Sequence, residues 1–405
     1  MASLALAAAT GTPAGADSAL VSSTLPNGVR VAVLSLSGAQ HAAVTLALRS
    51  PFSPGTDDSR VFLKAAALLL RERLSCGLPR TTLAPPQSPT AATLISVRDP
   101  LLLLTLPVRS PDAGEALTSL VSGVQRLQQV SPEEAGRALQ NPLVLRRSHE
   151  ETALALLFDP SPRLEDAPLS PADLLSALPA ALAPSNLALA ASLPDDGGAF
   201  AASIVAALGS LRGQSQSLDR AIPLGSTSAD LRQGDKWTRV TMVLACPVRS
   251  PRDLAALHLA SVLSAQARFS RLFTAARSGA ALTYDIDSSV WGFGNQGVLD
   301  IGCTVGAAQA AETMALLREQ MRLLAKSGPS QGELQAAKRF LAFQQHRLRE
   351  TPEQWSAAVA GWVGNFGPRI LDLSLEQALD LIGTTDVSEV LAALASRSAT
   401  LSASR

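Results

Sequence analysis

The sequence lacks a net charge and is poor in aromatic residues. Lysine plus arginine and aspartate plus glutamate number 34 each in 405 residues, and aromatic side chains make up 4% of the chain. A nucleic-acid surface needs an excess of basic side chains, so this balance argues against a nucleic-acid partner. Hydrophobic residues reach 47%, which suits a folded protein with large cores. Because the mean hydropathy is positive and the net charge is zero, we expect part of the apolar surface to face another protein.

Cysteine is scarce, and no apolar run is long. The three cysteines, Cys76, Cys246 and Cys303, are far apart and show no C-x-x-C spacing, so they predict neither a disulfide framework nor a zinc knuckle. The longest apolar run, DPLLLLTLPV at 99–108, is too short to span a bilayer. The first 23 residues contain no lysine or arginine, which is a poor match to a signal or transit peptide, and we interpret them as a flexible tail.

Apolar residues alternate in some segments and recur at helical spacing in others. Strand-like segments such as VRVAVLSLS and HAAVTLALRS precede the helical pattern DSRVFLKAAALLLRERLS, and further strands and helices follow, which predicts an α+β fold. A polar, Gly- and Ser-containing stretch separates two such series and is interpreted as a linker. The predicted organisation is a tail at 1–23, a first domain at 24–213, a linker at 214–235 and a second domain at 236–405.

The second half repeats the first. VTLALRSPFSPGTD at 44–57 and VTMVLACPVRSPRD at 240–253 align without a gap, and each leads into a helical pattern. The same order of strands and helices then follows in both halves. Recurrence of the whole order favours duplication over chance similarity.

Several segments resemble one family. LPNGVRVAV resembles the opening strand of the pitrilysin/insulinase-type zinc peptidases, in the branch with mitochondrial processing peptidase and the core proteins of respiratory complex III. SRLFTAARSGAALTYDIDSS, followed by GVLDIGCTV and SGPSQGELQAAKRFL, resembles the second domain of that family. The resemblance covers about residues 24–400. It implies two homologous α+β domains, each a mostly antiparallel sheet with helices packed on one face, which together form half of a clamshell.

The chain departs from this family where the zinc chemistry resides. Active members carry H-x-x-E-H on the first long helix of the first domain, with histidines at i and i+4 as zinc ligands and a distal glutamate completing the site. The corresponding helix, VFLKAAALLLRERLS, has no histidine, and His41, His149, His258 and His346 are isolated from one another. Glu150 and Glu151 are the nearest acidic remnant and are interpreted as a solvated helix face. The sequence therefore predicts no metal, no cofactor and no catalytic residue, so the chain would not be an enzyme by itself.

Arg277 and Tyr284 have an R-x6-Y spacing, and Tyr284 is the only tyrosine of the chain. In two-part family members, the subunit without zinc contributes such a pair to the substrate in its partner's active site, so the resemblance implies a substrate-binding role for both residues. Both side chains are hydrogen-bond donors suited to a peptide carbonyl or an oxyanion. The alternative is a surface arginine and a tyrosine packed beside the core.

These features predict a non-catalytic subunit with a homologous family partner. Our first hypothesis is a component of mitochondrial respiratory complex III, similar to core protein 2 or the processing-peptidase α-subunit, on the matrix side of the inner membrane. The alternative is the silent half of a bacterial two-part zinc peptidase in the periplasm or cytoplasm, where it would help to bind a peptide substrate. A stand-alone serine hydrolase is disfavoured because no G-x-S-x-G motif is present.

Overall fold

The computed structural model describes most of the chain beyond residue 19. The described residues are 20–36, 41–52, 56–75, 94–98, 100–146, 151, 169–194, 198–209, 211–212, 227–231, 236–279, 283, 285–293, 296–396 and 398–404. Within these ranges the chain folds into two β-sheets with packed helices, which is the predicted α+β class.

The first sheet has six strands. In sequence order they are β1 (Leu20–Thr24), β2 (Arg30–Ser35), β3 (Ala42–Arg49), β4 (Leu94–Arg98), β5 (Leu101–Val108) and β6 (Leu187–Leu193). In space the order is β1-β2-β6-β3-β5-β4, and all neighbours are antiparallel except β2 and β6. Strands β3, β5 and β6 are covered on both faces, which is why they read as almost continuous apolar runs.

The first strand corrects the predicted tail. Leu20–Thr24 pairs with the next strand through a tight turn, in which the amide of Leu25 donates to the carbonyl of Val29 and Gly28 adopts a φ of 98°. Only glycine takes this backbone conformation at little cost. Residues 20–23 therefore form the edge of the sheet, whereas the sequence predicted a flexible segment there.

Six helices pack on one face of the first sheet. They are α1 (Asp57–Ser75), α2 (Ala113–Gln125), α3 (Pro132–Leu139), α4 (Pro142–Leu145), α5 (Pro171–Ala181) and α6 (Gly198–Leu208). Helices α3 and α5 each begin after a capping serine, because Ser131 and Ser170 accept hydrogen bonds from the backbone N–H groups of Glu134 and Asp173. Their apolar side chains share one core with strands β2, β3, β5 and β6.

The second sheet has five strands. They are β7 (Thr227–Leu231), β8 (Trp237–Pro247), β9 (Ile286–Phe293), β10 (Gln296–Gly306) and β11 (Ser398–Ser404), in the order β7-β11-β8-β10-β9. Two of these strands differ from the sequence-based prediction. Strand β7 lies within the segment predicted as a linker and pairs in parallel with β11, which the sequence did not predict.

The two sheets share one strand order. Strands β7, β11, β8, β10 and β9 occupy the places of β2, β6, β3, β5 and β4, with the same parallel pair and the same three antiparallel pairs. Strands β3 and β8, which hold the two aligned segments of the sequence, take equivalent central positions. The topology thus repeats as the sequence predicts.

The remaining helices lie between the strands of the second sheet in sequence order. They are α7 (Pro251–Ser261), α8 (Ala310–Ser327), α9 (Gln331–Arg349), α10 (Pro352–Phe366), α11 (Leu375–Leu381) and α12 (Thr384–Ser396). Between α7 and β9, a helical turn at Arg271–Phe273 continues as a π-helical turn at Thr274–Gly279. Of the described helices, none combines the length and the apolar character that crossing a membrane requires.

Helix α10 joins the two halves of the chain. It packs on the face of the first sheet opposite to α1–α6, where small side chains such as Ala47 and Ala190 meet Val359, Ala360 and Val363. The expectation of helices on one face only is therefore wrong for the first sheet, because a helix from the second half covers its other face. Trp362 of this helix packs both on this third apolar cluster and on the core of the second sheet.

Candidate functional site

Helix α1 is the helix on which the family resemblance places the zinc ligands. Arg60, near its start, is buried and pairs with Asp57, with Nε 3.0 Å from Oδ1. Its Nη1 donates to the carbonyl oxygens of Val144, Leu145 and Arg146, at 2.8, 3.4 and 3.4 Å. These carbonyls end the short helix α4 and have no partner within that helix, so the guanidinium satisfies groups that would otherwise lack hydrogen bonds.

Lys64 lies one turn further along α1 and points the same way. Its Nζ donates to the carbonyl of Arg146 at 2.7 Å and to Oε2 of Glu151 at 2.8 Å. Since Arg60 and Lys64 reach the same carbonyl, they share one face of the helix, as residues at i and i+4 must. We call Arg60, Lys64 and Glu151 the cation clamp.

The cation clamp does not fit a divalent metal. A guanidinium is protonated at all relevant pH values and has no lone pair to donate, and an ammonium would have to lose its proton before it could bind. Leu63, between them, is fully buried and apolar. Elsewhere in the described ranges no group of three or more His, Cys, Asp or Glu side chains is placed to hold an ion.

Glu151 differs from the sequence-based interpretation. A solvated helix face was expected, but the carboxylate is ion-paired to Lys64 and its side chain is only 21% exposed. Glu150 lies outside the described residues. The sequence missed this pair because Lys64 and Glu151 are 87 residues apart, and neither residue is unusual in its own segment.

The described histidines lie on separate elements. Nε2 of His41 is 2.7 Å from Oε1 of Glu353, and Nδ1 of His346 is 3.4 Å from Oε1 of Glu350. His258 packs edge-on against Trp362 with ring centroids 5.9 Å apart. His149 is outside the described residues. Each described histidine therefore has a local contact of its own and no neighbouring histidine.

Of the predicted substrate-binding pair, the structure describes Arg277. This residue is exposed on the π-helical turn, and its Cζ lies 5.3 Å from the centroid of the Phe273 ring. Such a contact orients the guanidinium. Tyr284 lies outside the described residues, so the geometry between Arg277 and Tyr284 stays a prediction.

Arg271 fixes the turn that carries Arg277. Its guanidinium makes a bidentate pair with Glu333, at 3.0 and 3.1 Å, and also donates to Ser327 Oγ and to the carbonyl of Gly328. This pair and a backbone hydrogen bond from Ser330 lower the pKa of Glu333 to about 2. Within the segment SRLFT, no sequence signal distinguishes Arg271 from other arginines, because its partners are 56 to 62 residues away. These partners lie at the end of α8 and in the first turn of α9, so the two helices hold the turn in place.

Comparison with known proteins supports the resemblance at the level of the family. Residues 204–341, about a third of the chain, match the family model described as the peptidase M16 inactive domain. M16 peptidases are the pitrilysin/insulinase type. No curated protein matches the chain.

Solved structures share the fold over nearly the whole length. The peptidase M16 inactive domain from Pseudomonas fluorescens is 17% identical with a TM-score of 0.65, covering 95% of this chain and 98% of that one. A chain of complex III from Candida albicans is 15% identical with a TM-score of 0.70, covering 95% and 96%. An M16-like peptidase from Alicyclobacillus acidocaldarius is 9% identical with a TM-score of 0.70, covering 96% and 99%. In sequence over residues 204–341, and in fold over nearly its whole length, this chain is similar to the M16 peptidase family, and the matched segment is of the inactive-domain type.

Proposed function

We propose that this chain is a non-catalytic subunit that works with a homologous M16-type partner. The observation that carries the proposal is the cation clamp. On the helix where the family resemblance places two zinc-binding histidines at i and i+4, Arg60 and Lys64 stand at that spacing on one face. These two positive charges would repel a divalent cation. Their hydrogen bonds to the carbonyls at the end of α4 hold helices α1 and α4 together.

Respiratory complex III is the first candidate assembly. The fold shared with a chain of Candida albicans complex III supports it, as does the absence of histidine from α1. In this role the chain would be a core-protein-like support on the matrix side of the inner membrane. Cytochrome subunits should then co-purify with the tagged chain from its native cell, in constant proportion through two different columns.

A two-part peptidase is the second candidate, and Arg277 specifically favours it. An exposed guanidinium oriented by an aromatic ring is suited to hold a peptide carbonyl in a neighbouring active site. A co-purifying M16 chain that carries H-x-x-E-H would support this assembly. In the reconstituted pair, R277A should lower the rate of peptide cleavage by ~10²-fold. The exposed Arg126, at the end of α2 in the first half of the chain, provides the control variant R126A. Equal cleavage rates for R277A and R126A would reject the role of Arg277.

Experiments on the isolated chain test directly whether it binds zinc or cleaves peptides. Purified full-length protein, after exposure to zinc and gel filtration, should hold no stoichiometric zinc by elemental analysis and should not cleave a mixed peptide library. One zinc per chain, or cleavage in the absence of a second polypeptide, would overturn the proposal.

A further inference from the structure

A row of phenylalanine side chains reaches the surface beside α9. Phe269 packs edge-on against Phe340, with ring centroids 6.1 Å apart and planes at 90°. Phe340 is itself packed on the core of the second sheet. Phe343, one turn further along α9, is 61% exposed, and Phe269 is 43% exposed. The row is therefore anchored on one side and open to water on the other, which is uncommon for neighbouring aromatic side chains.

Exposed arginines flank this row. Arg339 and Arg347 lie four residues before and after Phe343 on α9, and Arg268 precedes Phe269 in the sequence. Within the described parts of the chain, no carboxylate forms an ion pair with any of these three guanidinium groups. Of the nearby acids, Glu333 is bound to Arg271 and Glu350 lies 3.4 Å from His346. We call Arg268, Phe269, Arg339, Phe340, Phe343 and Arg347 the α9 patch.

The charge of this region contrasts with the balanced charge of the chain. Helix α9 holds four basic residues, Lys338, Arg339, Arg347 and Arg349, against one acidic residue, Glu333, in a protein with 34 of each sign. Arginine predominates over lysine here. A planar guanidinium binds a carboxylate through two parallel hydrogen bonds, which an ammonium does not.

We infer that the α9 patch docks an acidic protein segment that carries an aromatic or aliphatic side chain between its carboxylates. An apolar centre with a rim of arginine has the anatomy of a protein interface, in which aromatic residues and arginine supply most of the binding energy. A membrane surface or a nucleic acid would be held by a larger excess of positive charge than three guanidinium groups in a neutral chain. The inference goes beyond the proposed function, since it names a binding surface and the chemistry of its partner whichever assembly the chain enters.

Two acidic polymers provide the probes. Binding of the full-length chain to poly-glutamate and to a random copolymer of glutamate and tyrosine is measured by titration calorimetry at low salt. The copolymer should bind ~10-fold more tightly, because tyrosine rings add contacts with Phe269 and Phe343. F343S should remove this preference, and R339E/R347E should weaken both polymers by ~10-fold or more. Added salt should weaken both polymers in the unaltered protein.

Matched variants and other ligands decide the outcome. L381S and R126E change an exposed leucine and an exposed arginine outside the patch, and they should bind like the unaltered protein. Thermal unfolding of each variant checks that the fold is kept. If F343S does not fold, R339E/R347E still tests binding at the α9 patch. Tighter binding to phosphatidylserine vesicles or to oligo-dT than to the copolymer would overturn the inference. So would self-association in sedimentation that F343S abolishes, because a second copy would then occupy the patch. Zinc binding by the isolated chain would reject the proposed function and leave these results unaffected.

Discussion

The hydroxyl oxygens of Thr45 and Ser356 lie 2.8 Å apart, and both side chains are fully buried although they belong to opposite halves of the chain. Thr105, on the neighbouring strand, extends the contact, with its hydroxyl 2.9 Å from that of Thr45. Buried hydroxyls need partners, because the loss of hydration is not otherwise compensated. The three residues form one network between the first sheet and helix α10.

Both ends of α10 are held as well. Glu353, in its first turn, contacts His41, and Nη1 of Arg30 donates to the carbonyls of Val363 and Gly364 at 3.3 and 2.8 Å. A cation at the last carbonyls of a helix is favourable because it complements the helix dipole. Helix α10 is thus fixed to the first sheet at its start, middle and end, so we expect the two halves to unfold together.

T45V should destabilise the protein more than S356A. Without the Thr45 hydroxyl, the buried Thr105 hydroxyl loses its hydrogen-bond partner, which costs about 1–3 kcal/mol. Without the Ser356 hydroxyl, Thr45 keeps its bond to Thr105, so the expected loss is about 1 kcal/mol. Urea unfolding followed by circular dichroism measures both. T118V, on the exposed surface of α2, is the control and should change little. A larger effect of S356A would contradict the network described above.

The sequence predicts single elements well and contacts between them poorly. The helical spacing of apolar residues in α1 and the capping serines of α3 and α9 can be recognised locally, because each signal lies within one element. The packing of α10 on the first sheet depends on small side chains such as Ala47 and Ala190 in distant segments, and no local pattern identifies the helix that covers them. Strand β11, SATLSAS, alternates small apolar residues with Ser and Thr, but its alanines have a low strand propensity, so the sequence does not identify it as a strand.

The cation clamp was equally invisible to sequence reasoning. The absence of histidine from α1 is evident from the sequence, but the contacts that Arg60 and Lys64 make are not. Arg60 and Lys64 read as two ordinary basic residues until their common contact with the carbonyl of Arg146 is known.

The clamp predicts that zinc binding can be introduced. In R60H/K64H, two imidazoles would stand on the face of α1 that meets Glu151, which provides three ligands of the types that zinc accepts. We expect about one zinc per chain by elemental analysis after dialysis, against none in the unaltered protein. Adding E151Q should weaken zinc binding by ~10-fold or more, because it removes the charged ligand. Equal zinc content with and without E151Q would mean that α1 does not face Glu151 as described.

The Arg271–Glu333 pair predicts an acid-sensitive contact. The pKa of Glu333 falls from 4.5 in the unfolded chain to about 2, so the folded state binds fewer protons between these values. Its stabilisation is complete above pH 4.5 and is lost as the pH falls toward 2, and partial exposure reduces it to about 1 kcal/mol. E333Q should therefore be less stable than the unaltered protein at pH 6 and equally stable near pH 2, by urea unfolding. E319Q, at an exposed pair with Arg322, is the control and should show a smaller difference at pH 6.

His258 predicts a second pH dependence, in a higher range. The residue as a whole is partly exposed, but its Nε2 is buried and has no hydrogen-bond partner among the described residues. Burial lowers the pKa of His258 from 6.5 to about 4, because the charged imidazolium would lose its hydration beside Trp362. Below pH 6.5 the unfolded chain binds a proton that the folded chain does not, so stability falls as the pH decreases from 6.5 toward 4.

H258L should remove this part of the pH dependence. Between pH 7 and pH 4.5 the unaltered protein should lose about 2 kcal/mol more unfolding free energy than H258L, because only the unaltered protein has an imidazole to protonate on unfolding. Urea unfolding at the two pH values measures the difference, and H346L, at an exposed histidine, controls for the removal of a titrating group. If H258L and H346L lose stability equally on acidification, the imidazole of His258 is not held neutral by its contact with α10. The contact between α7 and α10 lies where the second core meets the helix that covers the first sheet. A difference confined to H258L would therefore mean that mild acid weakens the association of the two halves at this contact.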